Sequence, residues 1–529
     1  MPDPLWGPVL RQDGTAAFRL WAPSAEAVML QLAGRAALPM RGDASGWFAA
    51  EAPALPGYQY HFRVGDLLVP DPASRFQAGD VHDASVIVDH GAYRWRHADW
   101  RGRPWHETVL YELHAGACGG FAGVRAMLPR LRDLGVTAVE LMPIADFPGP
   151  RNWGYDGVLP FAPDAAYGTP DELKALVDEA HGLGLSMFLD VVFNHFGPDG
   201  AYLHAYAKPF FDEGQHTPWG AAIDFRRPEV RAYFEEAALT WLRDYRFDGL
   251  RLDAVHAISE QSWLDALATR VRREITDRHV HLVLENESNT ASKLSPHLFD
   301  AQWNDDGHNV LHPLLTDERE GYYEDFAEDG ARKLARVLEG GFLFQGEVMP
   351  HLGRPRGEPS AHLPPTSFVL FLQNHDQVGN RAMGERLPAL AHPGALRAAA
   401  ALLLLSPQIP MLFMGEEWGA TAPFLFFVSS PIRRSAMPSA RGAAASSPTS
   451  PPSAIPQHAR ASPTRRRSPP SPLPSPPPPK HRARRTTRSS RSTATSSRCA
   501  TPRSSHACPA PRPRAPRPSV PRRSSPAGA

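Results

Sequence analysis

Apolar and polar positions alternate with a period of two along residues 1–95. The alternating apolar positions are Phe18 and Leu20, then Val28, Leu30 and Leu32, and later Tyr58, Tyr60, Phe62 and Val64. A period of two is typical of strands with one buried face, and Gly, Pro and Asp residues separate the runs as turns do. The pattern predicts a small immunoglobulin-like β-sandwich over residues 1–95.

From residue 105 onward the pattern changes to apolar runs separated by helical stretches. Eight runs read as strands, at residues 109–114, 137–144, 185–195, 247–256, 280–288, 299–305, 368–376 and 409–417. A continuous apolar run is typical of a strand buried on both faces, as in parallel sheets. Eight such strands with crossover helices predict an α/β fold, a (β/α)8 barrel over residues 96–427.

Two of the intervening helices have clear start signals. Thr169 can cap a helix in which Pro170 takes the first position and Glu172 completes a capping box, and Pro228 starts another helix. The most apolar segment, residues 395–414, contains charged and polar residues and two prolines. It predicts a buried helix followed by a buried strand rather than a membrane span.

The periodicity ends after Phe427. Residues 428–529 contain 20 of the 56 basic residues and none of the 56 acidic ones, and Pro, Ser and Arg dominate. Such a segment has no apolar face to bury, so we expect disorder there and no eighth barrel helix. Two origins are open: a native basic tail that binds an acidic partner, or translation of a GC-rich gene in a shifted reading frame. We favour the frameshift, because a native linker seldom replaces the last helix of a barrel.

Composition narrows the class of protein. Residues 1–427 are strongly acidic and offer no general basic surface for nucleic acid. The Arg clusters of residues 428–529 lack interleaved aromatic residues, so we predict no nucleic-acid partner. The three cysteines, Cys118, Cys499 and Cys508, define no disulfide framework, and the N-terminus has no signal-peptide pattern. We therefore expect a cytoplasmic protein without a membrane anchor, and no motif predicts a cofactor or a metal.

Three carboxylates follow three of the predicted barrel strands. Asp253, Glu285 and Asp376 each come after an apolar run. The carboxyl ends of barrel strands surround one pocket, so these side chains can converge there. A pair of carboxyl groups is the machinery of glycoside hydrolysis. The structural alternative is that each residue caps a helix or a turn, and that Asp253 forms an ion pair with Arg251.

Four ordered motifs around these residues resemble the α-amylase superfamily, glycoside hydrolase family 13. They are DVVFNH at 190–195, GLRLDAVH at 249–256, VLE at 283–285 and FLQNHD at 371–376. Because the four motifs occur in the order of the family, we prefer the catalytic interpretation over the structural one. The resemblance covers residues 10–427 and implies a retaining glycoside hydrolase.

The resemblance implies a role for each motif residue. Asp253 is implied as the nucleophile, Glu285 as the general acid/base and Asp376 as the carboxylate that binds sugar hydroxyls. Glu287 is a competing candidate for the acid, but Glu285 directly ends its apolar run. The substrate-binding residues that the resemblance implies are Tyr155, which would stack on the sugar, His195, Arg251, His256 and His375.

Further stretches narrow the choice within the superfamily. The sequence at 18–32 looks like the sandwich of branching enzymes, debranching enzymes and trehalohydrolases, and residues 301–323 and 414–427 look most like malto-oligosyltrehalose trehalohydrolases. That resemblance implies a malto-oligosyltrehalose substrate, cleaved at the α-1,4 bond next to its terminal trehalose. Residues 118–120 and the motif near His308 depart from the family pattern. The alternatives are a glucan branching enzyme and a non-catalytic glucan-binding protein, and the three carboxylates favour an enzyme.

Overall fold

The alternating N-terminal runs form two antiparallel sheets in the computed structural model, which describes residues 4–217 and 219–429. One sheet has the strand order Val9–Leu10, Thr15–Trp21, Trp47–Pro53 and Arg41–Gly42. The other has Leu38–Pro39, Val28–Leu32, Gln59–Val64 and Leu67–Val69, and Ser85–Val86 also pairs with Gln59–Val64. Phe18 of the first sheet meets Tyr60 of the second at 5.0 Å between ring centres. The predicted sandwich is confirmed, although Tyr58 precedes its strand and is 37% exposed.

The eight predicted barrel strands are confirmed, and they close into one parallel barrel. In chain order they are Leu110–Leu113, Ala138–Leu141, Ser186–Val191, Gly249–Leu252, His281–Leu284, Ala301–Trp303, Phe368–Phe371 and Ile409–Phe413. Each strand pairs with the next, and the first pairs with the last. The predicted (β/α)8 architecture is therefore correct.

Helices connect the barrel strands, and short hairpins extend some of the loops. The α-helices are Gly120–Leu134, Pro170–Gly182, Leu203–Tyr206, Pro228–Leu239, Gln261–Glu274, Asp305–Thr316, Glu324–Ala327, Gly330–Gly340, His375–Gly379, Leu387–Leu390 and Pro393–Leu405. The hairpins pair Ala145–Asp146 with Leu159–Pro163, Phe211–Thr217 with Gly220–Ile223, and Val348–Met349 with Arg354–Pro355.

The helix Pro170–Gly182 begins as the sequence predicts. The Thr169 hydroxyl accepts from the Glu172 main-chain N–H, and the Glu172 carboxylate accepts from the Thr169 main-chain N–H at 2.7 Å. This reciprocal cap satisfies two amide donors that a helix otherwise leaves without partners. The helix Pro228–Leu239 likewise starts at its proline. Local chemistry alone therefore specifies both helix starts.

The helix Pro393–Leu405 differs from its prediction. We expected it to be buried, but only Ala399 and Leu403 are, while Leu404 is 51% and Leu405 84% exposed. Apart from Arg397 its side chains are apolar on every face, so hydrophobicity could not show which face has a packing partner. Between the last barrel strand and Ser429 the only helical element is the 3-10 turn Glu416–Trp418.

The sandwich is attached to the barrel through the N-terminal segment. The main-chain N–H groups of Leu5 and Trp6 donate to the Glu236 carboxylate at 3.0 Å each. The Trp6 ring is fully buried and lies 4.9 Å from the ring of Tyr233, on the same barrel helix as Glu236. Tyr233 in turn donates its hydroxyl to the Pro72 carbonyl at 2.6 Å. This interface joins the two halves through buried aromatic rings and hydrogen bonds.

The expectations of disorder, of a basic tail or of a frameshift beyond Ser429 concern residues outside those that the structure describes. The division of the chain into a sandwich that ends at residue 95 and a barrel that begins at residue 96 likewise stays a prediction. Among the described residues, no helix is both long and apolar enough to cross a membrane.

Candidate active site

A layer of charged side chains lies in the interior of the barrel. Glu112 and Glu140 are paired across the first two strands, and Asp190 and Arg251 across the third and fourth. Successive strand residues point to opposite faces, so these four share the inward face with apolar residues two positions earlier. Those apolar partners, among them Leu110, Ala138 and Phe188, form a buried interior cluster. The charged layer therefore lies on the carboxyl-terminal side of an apolar plug.

Arg251 is the centre of the site. Its side chain is fully buried, and Nη1 donates to Asp190 Oδ2 at 2.6 Å and to Asp253 Oδ1 at 2.9 Å. Nη2 lies 2.9 Å from Glu285 Oε2, in an ion pair without hydrogen-bond geometry. The guanidinium also lies over the ring of Trp303, 4.1 Å from its centre. One cation thus brings the two candidate catalytic carboxylates side by side.

The backbone at Ala254, directly after Asp253, is strained and provides a hydrogen bond to Glu285. Ala254 has φ of +41°, in the left-handed region that few non-glycine residues adopt. Its N–H donates to Glu285 Oε2 at 2.8 Å, and the main-chain N–H of Glu285 donates to Leu252 at 3.0 Å. Such strain is stored where the surrounding structure fixes it, often at functional sites. The turn therefore holds Glu285 in place from two sides.

Asn194 and His195 form a pair beside Asp253. The Asn194 amide donates to Asp253 Oδ2 at 2.8 Å and to the Asp253 carbonyl at 2.9 Å. His195 Nδ1 contacts Asn194 Oδ1, and Nε2 lies 2.9 Å from the Tyr155 carbonyl. Burial lowers the pKa of His195 to about 4, so the ring is neutral near pH 7. His195 therefore orients the amide that holds Asp253, and its ring stacks on Trp219 at 4.0 Å.

Tyr155 and His375 pack together opposite Arg251. The Tyr155 hydroxyl donates to Asp190 Oδ2 at 2.6 Å, and its ring stacks on His375 at 5.0 Å and 23°. His375 Nδ1 lies 2.5 Å from Glu112 Oε1. Tyr155 thus connects Asp190, which also accepts from Arg251, to the imidazole of His375.

Asp376 lies in the first turn of the short helix His375–Gly379. Asn374 caps this helix and accepts from the Asp376 N–H at 2.9 Å. The side chain is 42% exposed, and desolvation by the surrounding protein atoms, together with the charges of Glu285 and Glu112, raises the pKa of Asp376. The carboxylate of Asp376 is accessible to a ligand in the barrel mouth.

His256 is placed apart from the contacts of Arg251. Its Nδ1 accepts from the Glu287 main-chain N–H at 3.3 Å, and Nε2 lies 3.7 Å from Glu287 Oε2. The Glu287 carbonyl accepts from Arg356 Nε at 2.8 Å. Glu285 contacts Arg251, whereas Glu287 contacts His256, so the structure separates the environments of the two glutamates.

Two carboxyl groups in the interior layer bind protons more tightly than usual. Burial raises the pKa of Asp190 to about 7 in spite of the nearby Arg251 cation. Burial, together with the charges of Asp190 and Glu112, raises the pKa of Glu140 well above its usual range. Burial thus favours the protonated forms of both carboxyl groups, which reduces the negative charge that Arg251 and His375 must balance.

The structure brings together seven of the eight residues that the sequence predicts for the site, with His256 at one side. Sequence reasoning missed Glu112, Asp190, Asn194 and Trp303. Asp190 and Asn194 lie inside a quoted motif, so their positions were visible but their partners were not. A charged residue in a buried strand run was the available signal for Glu112. No cluster of three or more His, Cys, Asp or Glu placed to bind a metal occurs among residues 4–217 and 219–429.

Comparison with known proteins places this site in a family. The model of the alpha amylase catalytic domain matches residues 73–220. A malto-oligosyltrehalose trehalohydrolase of Deinococcus radiodurans is 42% identical over 421 residues, which are 78% of this chain and 69% of that protein. One of Saccharolobus solfataricus is 39% identical over 440 residues, 80% of this chain and 76% of that protein.

The fold comparison agrees. A crystal structure from Salmonella typhimurium, described as a candidate alpha amylase, has a TM-score of 0.80 and 47% identity and covers 84% of this chain and 78% of its own. A glucan branching enzyme of Jannaschia sp. is 32% identical over 292 residues, only 46% of this chain and 40% of that protein. The long, consistent matches determine the assignment: the chain belongs to the malto-oligosyltrehalose trehalohydrolase family, within the alpha amylase type of glycoside hydrolase.

Proposed function

We propose that this chain hydrolyses the α-1,4-glucosidic bond next to the terminal trehalose of a malto-oligosyltrehalose and releases trehalose. The observation that carries the proposal is the pair Asp253 and Glu285, side by side on one buried guanidinium in a chain of the trehalohydrolase family. Membership of the alpha amylase type of glycoside hydrolase supports the retaining arrangement, in which one carboxyl group is the nucleophile and the other the acid/base.

In the proposed mechanism, Asp253 attacks the anomeric carbon while Glu285 donates a proton to the oxygen of the departing trehalose. The glycosyl ester on Asp253 is then hydrolysed by a water that Glu285 deprotonates, and the anomeric configuration is retained. Arg251 and Asn194 hold Asp253 in the attacking position. Their hydrogen bonds stabilise the carboxylate that leaves when the ester breaks.

The remaining site residues would bind the sugar. Asp376 is accessible in the barrel mouth and would accept hydrogen bonds from two sugar hydroxyls as positive charge develops on the ring. Tyr155 stacks on His375 with one face, which leaves the other face for the sugar in the same subsite. His195 contributes by orienting Asn194, and His256 lies where it could bind the sugar on the side of Glu287.

The test is a product analysis of the full chain with malto-oligosyltrehalose and, separately, with plain maltodextrin. We expect trehalose to appear from the first substrate and little product from the second. The stereochemistry can be followed with a malto-oligosyltrehalose whose glucan part is isotope-labelled. Nuclear magnetic resonance immediately after mixing should then show the α-anomer at the newly formed reducing end. New α-1,6 branches without trehalose would instead identify a branching enzyme, and binding without turnover a glucan-binding protein.

A further inference from the structure

Glu112 is a buried carboxylate that lies outside the four sequence motifs. It lies on the first barrel strand and is 1% exposed. Oε1 lies 2.5 Å from His375 Nδ1, and Oε2 accepts from the His375 main-chain N–H at 3.3 Å. Two contacts from one carboxylate fix both the ring and the backbone of the residue that precedes Asp376.

The other side of the His375 ring faces the sugar-binding pocket. Nε2 lies 3.6 Å from Asp376 Oδ1. Tyr155 stacks on one face of the ring, and Trp153 meets it at 5.3 Å and 88°. With Glu112 behind it and two aromatic rings around it, the imidazole has one orientation.

We propose that Glu112 is a positioning residue: its carboxylate holds His375 doubly protonated and oriented, so that Nε2–H donates to a sugar hydroxyl next to the one that Asp376 binds. The inference rests on the proposed glycosidase function, because it assigns a task to the sugar-binding part of that site. It also gives His375 and Asp376 complementary tasks. The imidazolium donates a hydrogen bond, and the carboxylate accepts one.

The protonation of His375 decides which of these hydrogen bonds is possible. A neutral ring that donates through Nδ1–H to Glu112 has a lone pair at Nε2 and could only accept from the sugar. A doubly protonated ring donates at both nitrogens. Since Asp376 is already an acceptor, a neutral His375 would leave two acceptors side by side and no donor for the hydroxyl oxygen.

The electrostatic surroundings of His375 support the charged form. Burial alone would lower the pKa of His375, but the charges of Glu112 and Asp376 and the hydrogen bond to Glu112 outweigh burial and raise it to about 9. Arg251 acts in the opposite direction. The titratable and charged groups that face the ring from the packed elements are Glu112, His114, Glu140, Tyr155, Arg251 and Asp376.

The experiment compares the full chain with its Glu112→Gln variant across pH. Removing the carboxylate removes the largest influence that raises the pKa of His375, so the imidazolium is lost at lower pH. The titration of the His375 ring should therefore move toward acid by about one pH unit or more, which is about tenfold in the ratio of imidazolium to neutral imidazole at a given pH. At pH 6 the loss of the imidazolium should be smaller, because protonation of His375 at that pH depends less on a neighbouring carboxylate.

Glu140→Gln is the matched control. Glu140 is paired with Glu112 across neighbouring strands and is equally buried, but neither of its oxygens has a hydrogen-bond partner among the described residues. Because neither oxygen of Glu140 bonds the His375 ring, and because burial favours the protonated form of Glu140, Glu140→Gln should leave the titration of His375 in place. Glu112→Asp keeps the charge and shortens the reach, so the midpoint of its His375 titration should lie between those of the unmodified chain and Glu112→Gln.

A spectroscopic readout separates this inference from the proposed function. The protein is labelled with nitrogen-15 at its histidines, and the signals of His375 are identified by their loss in His375→Gln. In the unmodified chain these signals should report a doubly protonated ring at pH 7. A neutral His375 at pH 7 in the unmodified chain, or an unchanged titration of His375 in Glu112→Gln, would overturn the inference. If trehalose release is absent while the imidazolium is present and lost in Glu112→Gln, the proposed function fails and the structural part of the inference stands.

Discussion

At the residue scale, the guanidinium of Arg251 determines where negative charge is held in the pocket. It contacts Asp190, Asp253 and Glu285, and the two carboxylates with proposed chemical tasks are both partly accessible. A buried cation of this kind is costly to desolvate and is maintained only by its charged partners. The pairing therefore connects the stability of the barrel interior to the catalytic groups.

Replacing Asp253 by Asn should abolish turnover and leave the fold intact. The change removes the nucleophile but alters little volume, and loss of one member of a cooperating catalytic unit typically costs about 10⁴-fold or more in kcat. Steady-state kinetics and thermal melting measure the two effects. Asp265→Asn, at a surface carboxylate of the helix Gln261–Glu274 that is paired with Lys293, is the control and should keep its activity. Near-normal activity of Asp253→Asn would refute the assignment.

Replacing Glu285 and replacing Glu287 should have different effects on the rate of hydrolysis. Glu285→Gln removes the proposed proton donor beside Arg251 and should slow hydrolysis of a malto-oligosyltrehalose by about 10²–10⁴-fold, the usual contribution of general acid catalysis. On α-glucosyl fluoride, whose leaving group needs little protonation, the loss should be much smaller. Glu287→Gln, beside His256, should cost far less on the natural type of substrate. The opposite order would move the acid to Glu287.

The site residues also show which features of the site could be predicted from the sequence. The identities of the three carboxylates and their strand-end positions follow from apolar runs and motif order. The contact of Arg251 with Glu285, and the bond from the strained Ala254 to the same carboxylate, depend on the register between neighbouring strands. A single sequence does not contain that register, so these contacts emerged only from the fold.

At the element scale, strands were predictable and packing partners were not. Each barrel strand is buried on both faces, so its apolar run is continuous and stands out from amphipathic helices. The hairpin strand Phe211–Thr217 is mostly polar and exposed, and it gave no such signal. The helix Pro393–Leu405 shows the complementary failure, because a sequence that is apolar except for Arg397 predicted burial where one face is open.

That open face predicts a contrast between two neighbouring leucines. Leu405→Glu should change the free energy of unfolding by no more than about 0.5 kcal/mol, as at other exposed positions. Leu403→Ala, at 1% exposure, should cost about 2–5 kcal/mol. Denaturant unfolding followed by circular dichroism measures both. If Leu405→Glu is as damaging as Leu403→Ala, residues beyond Ser429 or another molecule cover this helix in solution.

At the scale of the whole molecule, the sandwich is anchored by the ring of Trp6. The ring is fully buried and lies 4.8 Å from the ring of Trp47 in the sandwich and 4.9 Å from that of Tyr233 in the barrel. Buried aromatic contacts between two halves make their unfolding cooperative, because neither can open without exposing the shared surface. The predicted two-part architecture thus behaves as one structural unit along this contact.

Truncation of that ring is the corresponding test. Trp6→Ala should cost about 3–5 kcal/mol, the range for deleting a large buried aromatic side chain. Calorimetry should show the sandwich and barrel separating into two transitions in the variant if the ring couples them. Leu38→Ala, at a sandwich residue that is 38% exposed, is the control and should leave one unchanged transition. A Trp6→Ala variant that melts like the control would show that the anchor lies elsewhere.

The closure of the barrel between its first and last strands has a consequence for synthesis on the ribosome. Leu110–Leu113 emerges early, yet its second neighbour, Ile409–Phe413, is translated about three hundred residues later. Until the last strand has been translated, the strand that contains Glu112 has an unpaired edge. His375, the partner of Glu112, is itself synthesised only shortly before that last strand. The nascent chain must therefore shield that edge for most of its elongation, which favours assistance from a chaperone that covers exposed strands.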